Sequence, residues 1–323
     1  MKILIIKFGA LGDIIIASSV IRQIQESHEN DSITLLTSNT FRSLFDNWPS
    51  LIIKSMERKG IINFFRQASW IRNQHFDVVY DLQSNNRSSK LCKISGTPIR
   101  AGNHPHSAYN KYPETAYYGQ CHSFDRLNQI IQANNLPAAT AKPWLPINIE
   151  QEQKVGYWLE KHKLNNKPYI ICHAGSSPQH MTKRWPYYYE LAAYISSLGI
   201  EIIWIGAGDE LEINRSLADK YGIDATNEFS LPELIALGKH AKFAVTNDSA
   251  PMHILTCSNI RVFSLFGPTN PTRNHALGQA DYIIFAGGTL PKNDNDFIPA
   301  DIANIKVDMV IEKIKQSNLI DAS

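Results

Sequence analysis

The chain opens on the stretch Lys2-Ile3-Leu4-Ile5-Ile6-Lys7-Phe8-Gly9-Ala10-Leu11-Gly12-Asp13-Ile14-Ile15-Ile16. Its first part is a short aliphatic run that ends in a glycine-containing turn, which is typical of a buried strand in a parallel sheet. Apolar residues then recur at helical spacing from Ile14 to Ile24. The stretch therefore predicts a strand–turn–helix unit. Asp13 lies at the start of the helix and beyond the carboxyl end of the strand, where open α/β sheets bind ligands.

Asp13 has two interpretations at this point. A dinucleotide-binding fold carries G-x-G-x-x-G here, so that bare backbone can approach a pyrophosphate. This chain has Gly9-x-x-Gly12 followed by a carboxylate, which would repel phosphate. Asp13 is either a helix N-cap or a general base held in a cleft, and the two roles are compatible.

Length and composition indicate a soluble protein of two domains. The 323 residues are enough for two cores, and 43% hydrophobic with 19% charged residues is usual for a globular chain. A net charge of +2 is too small to indicate a nucleic-acid partner. No apolar stretch approaches the ~18–20 residues of a membrane span, and the N-terminal run is interrupted by polar residues, so we expect no signal peptide. Four scattered cysteines without a C-x-x-C pair indicate reduced thiols in the cytoplasm.

The first half continues with strand and helix signals. Ile33–Leu36 and Asp77–Gln83 read as strands, and the loop after the second contains Arg87, which suits a polyhydroxylated or anionic acceptor. The alternative is an ordinary β–α loop. Gly60–Gln74 predicts an amphipathic helix with basic flanks. We expect its apolar side to face the core rather than a membrane.

Two features close the first half. His104 and His106 have no acidic or cysteine partner in register, so we expect no metal site there. Pro137–Pro146 is rich in proline and alanine, which predicts a linker between domains.

The second half opens with two strands that end in polar loops. Pro168–His173 predicts a buried strand that continues into a Gly/Ser loop, with Lys183 nearby. Backbone N–H groups, hydroxyls and a cation together hold phosphate, although a Walker A motif is absent. Glu201–Gly206 is the next strand, and Glu210 beyond it suits a ribose diol. The alternative is an acid favoured by a helix dipole.

A third strand leads into a helix start. Phe243–Thr246 is followed by Asp248 or Ser249 as N-cap and by Pro251 in the first turn. His253 follows Ser249 by four residues, so both are expected on one side of the positive helix end, which suits a diphosphate. A further buried strand then runs into a loop locked by glycine and proline.

Together these motifs identify a family. Gly12-Asp13, Ser176-Ser177 with Lys183-Arg184-Trp185-Pro186, Asp248-Ser249-Ala250-Pro251-Met252-His253, and Gly267-Pro268-Thr269-Asn270-Pro271 follow one another in that order. The combination resembles glycosyltransferase family 9, the ADP-heptose:lipopolysaccharide heptosyltransferases, over nearly the whole chain.

The resemblance implies an α/β protein with the GT-B fold, in which two Rossmann-like parallel-sheet domains face a central cleft. Residues 1–148 then form an acceptor-binding domain and residues 149–305 a nucleotide-sugar donor-binding domain. Residues 306–323 form a C-terminal helix that packs back on the N-terminal domain. The implied reaction is transfer of heptose from ADP-heptose to the lipopolysaccharide inner core, with inversion and without metal or cofactor.

The resemblance also assigns roles to single residues. Asp13 matches the catalytic base, and Phe229 is expected near the adenine. The residues matched to donor binding are the diphosphate cation Lys183 with Ser176 and Ser177, the ribose acid Glu210, and the diphosphate loop Asp248, Ser249, Ala250 and His253.

Some alternatives stay open. Ala250 stands where family members usually have glycine, which puts the donor's identity in question. Another nucleotide-sugar, or a non-catalytic nucleotide-sugar-binding protein on the same fold, therefore remains an alternative, whereas a dehydrogenase is disfavoured by the missing G-x-G-x-x-G. The implied partners are an ADP-sugar donor and a lipid-anchored oligosaccharide acceptor, without nucleic acid. With these partners, we expect the protein to lie in the cytoplasm, in peripheral contact with the inner face of the inner membrane.

Overall fold

The computed structural model describes residues 1–104, 107–114 and 121–320. His106 lies outside the described residues. Contacts divide the chain into two compact units, Met1–Pro146 and Ile147–Ser323. Each unit contains one parallel sheet with helices, so the predicted class of two Rossmann-like α/β domains is confirmed.

The first unit is a five-stranded parallel sheet with the strand order β3-β2-β1-β4-β5. Its elements are β1 (Lys2–Ile6), α1 (Leu11–Ser27), β2 (Ser32–Ser38), β3 (Leu51–Met56), α2 (Ile61–Gln74), β4 (Val78–Asp81), α3 (Asn86–Ser95), β5 (Ile99–Ala101) and α4 (Ser123–Gln132). A 3₁₀ helix, Asn39–Phe45, connects β2 with β3.

The central strand of this sheet is the aliphatic run with which the chain begins. Ile3 to Ile6 are fully buried, and Ile3 pairs with Ile33 on one side and Val78 on the other. β2 and β3 lie on one side of β1, and β4 and β5 lie on its other side. The carboxyl ends of β1 and β4 therefore meet at the point where the strand order reverses, which is where such sheets bind ligands.

The second unit is a six-stranded parallel sheet with the order β11-β10-β9-β6-β7-β8. Its elements are α5 (Ile149–Lys161), β6 (Tyr169–His173), α6 (Tyr188–Ser197), β7 (Glu201–Trp204), α7 (Leu211–Ala218), β8 (Ile223–Asp224), α8 (Leu231–Gly238), β9 (Ala244–Asn247), α9 (Ala250–Thr256), β10 (Val262–Phe266), α10 (Pro271–Asn274), β11 (Ile283–Phe285) and α11 (Val307–Gln316). Here the order reverses between β6 and β9.

The last helix, α11, packs within the second unit, whereas we expected residues 306–323 to pack back on the N-terminal domain. Val310 and Ile314 are fully buried in one apolar cluster with Ile195 of α6 and Ile284 of β11. The apolar side of α11 is thus covered by the core of its own unit.

Helix α2 departs from the expectation that its apolar side faces the core. Ala68 and Ile71 are buried, but Ile61, Ile62 and Phe65 in the first half are exposed. Its apolar residues recur at the period of an amphipathic helix, but periodicity does not predict which of them are covered by other parts of the chain. In the part of the chain that the structure describes, no helix is both long and apolar enough to cross a bilayer.

Candidate active site

The turn after β1 is fixed by a side chain from the neighbouring strand end. Oε1 of Gln83, just beyond β4, accepts hydrogen bonds from the backbone N–H groups of Phe8 (2.8 Å) and Gly9 (3.2 Å). Gly9 has a φ of +132°, and a Cβ there would lie 2.6 Å from the ring of Phe41. Only glycine fits this turn without strain.

Asp13 is the third residue of α1 and not its N-cap. The helix begins at Leu11, after the N-cap Ala10. Oδ2 of Asp13 accepts a hydrogen bond from the N–H of Ala10 at 3.2 Å, so the carboxylate reaches back over the helix start. The side chain is only partly buried. The N-cap interpretation was therefore wrong in position, and a carboxylate remains accessible at the carboxyl end of β1.

Lys7, at the end of β1, is a site residue that the sequence analysis missed. Its side chain is buried, and Nζ donates to the backbone oxygen of Leu82 at 3.1 Å. Burial lowers the pKa of Lys7 from 10.5 to about 8, against the opposing effect of the negative charge on Asp13. The charges of Asp81, Arg126 and Arg58 also act on Lys7. The sequence signal was a lysine directly after the aliphatic run of β1.

The loop after β4 is organised by the buried carboxylate of Asp81, the last residue of that strand. Asp81 is fully buried and accepts from the hydroxyl of Tyr109 (2.6 Å) and from the N–H groups of Gln83 (3.1 Å) and Ser84 (2.9 Å). Burial raises the pKa of Asp81, although these hydrogen bonds act in the opposite direction. The carboxylate thereby fixes the loop that carries Gln83.

Arg87, considered above for an anionic acceptor, has internal partners. Its guanidinium donates to the backbone oxygen of Gly60 (3.1 Å) and to Oε1 of Gln67 (3.2 Å), and it lies over the ring of Phe64. In the structure Arg87 ties α3 to the start of α2.

In the second unit, polar residues follow the carboxyl ends of four adjacent strands. The strands β10, β9, β6 and β7 are neighbours in that order. His173 ends β6, Asp248 and Ser249 follow β9, Glu210 follows β7 and Thr269 follows β10. The motifs chosen from the sequence therefore meet at one edge of this sheet, around its reversal point.

Lys183 and Asp248 form a close ion pair at this edge. Nζ of Lys183 lies 2.6 Å from Oδ2 of Asp248, and the hydroxyl of Thr269 donates to the same oxygen at 2.7 Å. Both charged side chains are partly buried. The ammonium group of Lys183 is thus held in place by residues from two further loops. Thr269 was quoted within a motif but was not expected to take part.

His173 connects two of the predicted donor-binding residues. One ring nitrogen, Nδ1, lies 3.0 Å from the hydroxyl of Ser249, and the other, Nε2, lies 3.2 Å from Oε2 of Glu210. Glu210 is buried and also accepts from the N–H of Ala207 at 2.9 Å. Burial acts to raise the pKa of Glu210, but the hydrogen bond and charge of His173, together with the N–H of Ala207 and the charge of Arg184, outweigh it, so the pKa lies below its usual value.

The side chain of Glu210 packs against the backbone of Gly175. A Cβ on Gly175 would come within 1.8 Å of Oε1 of Glu210, so a side chain at position 175 would displace the carboxylate. Asn247 fixes the same loop, since its Nδ2 donates to the backbone oxygens of Ala174 and Gly175, both at 2.9 Å. The loop after β6 is consequently shaped by Glu210, which follows β7, and by Asn247 of β9.

The two serines of this loop differ. The Ser176 hydroxyl is buried, donates to the backbone oxygen of His180 (2.9 Å) and accepts from Nε of Arg184 (3.3 Å). Ser177 is exposed. A ligand at this edge would meet Ser177, whereas Ser176 shapes the loop and holds Arg184.

The short helix α9 starts where the sequence predicted. Ser249 is its N-cap, with Ala250 and Pro251 in the first turn. The Ser249 hydroxyl bonds to His173 and to the backbone oxygen of Asn247 (3.2 Å) instead of capping the helix. His253 is buried one turn later, and the ring of Phe229 packs edge-on against Trp158.

This edge of the second sheet suits an anionic ligand. It presents the ammonium of Lys183, the exposed Ser177 and the N-terminal end of α9, which are groups of the kind that attract anions. Among the described residues, no group of three or more His, Cys, Asp or Glu side chains is arranged to hold a metal ion.

Comparison with known proteins identifies the class. Residues 64–295 match the model of glycosyltransferase family 9 (heptosyltransferase). Because the match covers well over half of the chain, the chain belongs to this family of glycosyltransferases.

Relatives and solved structures agree over the whole length. Lipopolysaccharide heptosyltransferase 1 of Campylobacter coli is 26% identical, with 98% of each chain covered. The structure of a family 9 glycosyl transferase from Veillonella parvula has a TM-score of 0.82 at 21% identity, over 98% of this chain and 96% of that one. The E. coli heptosyltransferase WaaC with ADP has a TM-score of 0.70 at 18% identity, over 98% of both chains. The fold is therefore that of the GT-B heptosyltransferases.

Proposed function

We propose that this protein is an inverting, metal-independent heptosyltransferase that moves heptose from ADP-heptose to the lipopolysaccharide inner core. Family membership and the names of the relatives support the reaction class. The ADP bound to a protein of the same fold supports an adenine nucleotide as donor. We assign residues 1–148 to acceptor binding and 149–305 to donor binding.

The observation that carries the proposal is the ion pair of Lys183 and Asp248 at the reversal point of the second sheet. A diphosphate needs a fixed cation and hydrogen-bond donors. Lys183 would contact the diphosphate together with Ser177 and the first turn of α9, where Ala250 presents its backbone N–H. Glu210, held by His173, would lie at the ribose.

On the acceptor side, Asp13 is the proposed catalytic base. The acceptor hydroxyl attacks the anomeric carbon of the heptose from the face opposite the leaving diphosphate, which inverts the configuration. Asp13 takes the proton of that hydroxyl as the new bond forms. A carboxylate of ordinary basicity is sufficient, because the hydroxyl becomes acidic as it loses electron density. Buried Lys7 adds a positive charge close to the carboxylate.

Departure of ADP is the other requirement. The sugar–phosphate bond breaks as positive charge develops on the sugar ring, and negative charge collects on the diphosphate. Lys183 and the N-terminal end of α9 stabilise that charge with groups that are already in position. These fixed charges do the work that a metal ion does in other transferases.

The partners follow from this chemistry. The acceptor is an oligosaccharide on a lipid anchor, so we place the enzyme at the cytoplasmic face of the inner membrane. A different nucleotide-sugar is the alternative donor, because Ala250 replaces the glycine usual in the family.

A binding and turnover series tests the proposal. Calorimetry should show tighter binding of ADP than of UDP, GDP or NAD. ADP-heptose with a lipopolysaccharide acceptor that lacks heptose should then yield one equivalent of ADP for each heptose transferred, with chelator present. Preference for UDP or GDP, or ADP binding without transfer, would refute the assignment.

A further inference from the structure

The first half of α2 presents three large apolar side chains to solvent. Ile61, Ile62 and Phe65 are 73%, 67% and 63% exposed, and we call them the α2 patch. Ala68 and Ile71 in the second half of the helix are buried, so α2 packs against its unit through residues outside the patch. Single exposed apolar residues are ordinary, but a contiguous group marks an interaction surface.

The α2 patch is bordered by two open grooves. One, of about 590 Å³, lies between Ile61 and Phe65 of α2 and Arg87 and Lys90 of α3. The other, of about 550 Å³, is lined by Ile62, Phe65, Arg66, Ser69 and Trp70. Phe65 therefore lines both grooves, which combine apolar side chains with the cations Arg66, Arg87 and Lys90.

The charges around the patch are mostly positive, with exposed Glu57 as an acid at its border. Residues 58–76 contain Arg58, Lys59, Arg66 and Arg72 and no Asp or Glu, and these four side chains are exposed. In α3, Lys90 and Lys93 are exposed as well, and residues 82–113 contain no acidic residue. The apolar patch thus lies within a basic surface that complements an anionic one.

The patch is also held rigidly. Arg87 donates to the backbone oxygen of Gly60 and to the side chain of Gln67. Nε2 of Gln67 in turn donates to the backbone oxygen of Glu57 at 2.7 Å. These bonds fix the start of α2, so a partner would meet a preformed surface.

We propose that the α2 patch docks the protein on a bilayer that contains anionic phospholipid. Ile61, Ile62 and Phe65 enter the boundary between headgroups and acyl chains, while Arg58, Lys59 and Arg66 contact lipid phosphates. A second copy of this chain is a poorer occupant, because two basic surfaces would repel each other. The proposal deepens the membrane placement above, but vesicle binding does not depend on the transfer reaction.

The test is sedimentation of the full chain with vesicles of phosphatidylcholine, with and without phosphatidylglycerol. The chain should bind the anionic vesicles and bind neutral ones far more weakly. The triple variant Ile61→Ser/Ile62→Ser/Phe65→Ser should bind at least about tenfold more weakly. Arg58→Gln/Lys59→Gln/Arg66→Gln should lose a similar factor and most of the salt dependence.

A matched control uses equally exposed apolar residues of the second unit, in the variant Ile149→Ser/Tyr157→Ser/Ile298→Ser. It should bind vesicles like the parent chain, and all three variants should keep the parent melting temperature and affinity for ADP. The proposal is overturned if the parent does not bind anionic vesicles, or if the α2 variant binds as well as the control. It is also overturned if the α2 substitutions instead convert a dimer into a monomer. Loss of transfer with vesicle binding intact would count against the proposed function alone.

Discussion

Nζ of Lys183 lies 2.6 Å from Oδ2 of Asp248, and the hydroxyl of Thr269 completes the contact from a third loop. The pair joins the loop after β6 to the loop after β9, on either side of the point where the strand order reverses. Asp248 compensates the charge of Lys183 and holds it in place. In the proposed donor site, a bound diphosphate would share the ammonium of Lys183 with Asp248.

Replacing Lys183 tests the anion site. Lys183→Ala should weaken ADP binding by roughly ten- to a hundredfold, because a charge-assisted hydrogen bond is lost and Asp248 is left uncompensated beside the phosphates. Calorimetry with ADP measures the change. Lys239→Ala is the control, since Lys239 pairs with Glu152 at the same 2.6 Å on the surface of the same unit. Equal affinities for the two variants would remove Lys183 from the site.

His173 should matter for stability and for nucleotide binding together. His173→Ala leaves the buried carboxylate of Glu210 without one of its hydrogen-bond partners, which costs about 2–3 kcal/mol in the free energy of unfolding. ADP affinity should fall as well, because Ser249 and Glu210 lose their common support. Urea unfolding and calorimetry give both numbers, with the exposed His240→Ala for comparison. A stable variant with normal ADP affinity would show that the contact is incidental.

Buried Lys7 predicts a dependence of stability on pH. Its pKa is 10.5 in the unfolded chain and about 8 in the folded one. Between these values the unfolded chain binds more protons, so stability rises with pH through this window. Below about pH 8 the buried charge costs roughly 3 kcal/mol.

Lys7→Met should therefore flatten the rise in unfolding free energy between about pH 8 and pH 10.5. Transfer activity should fall at the same time, because Asp13 loses a nearby positive charge. The exposed Lys93→Met should keep the parent's slope. If Lys7→Met also kept that slope, the amine would not be buried as the structure has it.

Two glycine-to-alanine substitutions should change the free energy of unfolding in opposite directions. Gly9→Ala should destabilise the protein by about 2–3 kcal/mol, because φ is +132° and the new Cβ would meet the ring of Phe41. Gly156→Ala, within α5 and with open space around it, should stabilise by about 0.5–1 kcal/mol. Thermal unfolding of both variants measures these two changes in stability. A harmless alanine at position 9 would mean that the turn before Asp13 is not tightly built.

The central strands were predictable, and the edge strands were not. β1, β6 and β10 consist mostly of apolar residues, so their composition predicts burial on both faces. β8 and β11 have only two and three residues. Such short segments become strands because a neighbouring strand pairs with them. The local sequence does not show which strand that is.

The site shows the same limit. Lys183, Glu210 and Ser249 were found because each follows the end of a predicted strand. The link through His173 was missed, since its partners lie 37 and 76 residues away along the chain. Which apolar residues of α2 stay in water was also missed, because periodicity predicts an apolar side without predicting what covers it.

The most direct test of the account is turnover and ADP binding measured on Asp13→Asn. The amide oxygen can still accept from the N–H of Ala10, so the helix start should stay intact. The account predicts that heptose transfer falls by at least about a hundredfold, while ADP affinity and melting temperature match those of the parent. Asp308→Asn, at the start of α11, should change neither quantity. Transfer by Asp13→Asn at the parent's rate would contradict the assignment of the base.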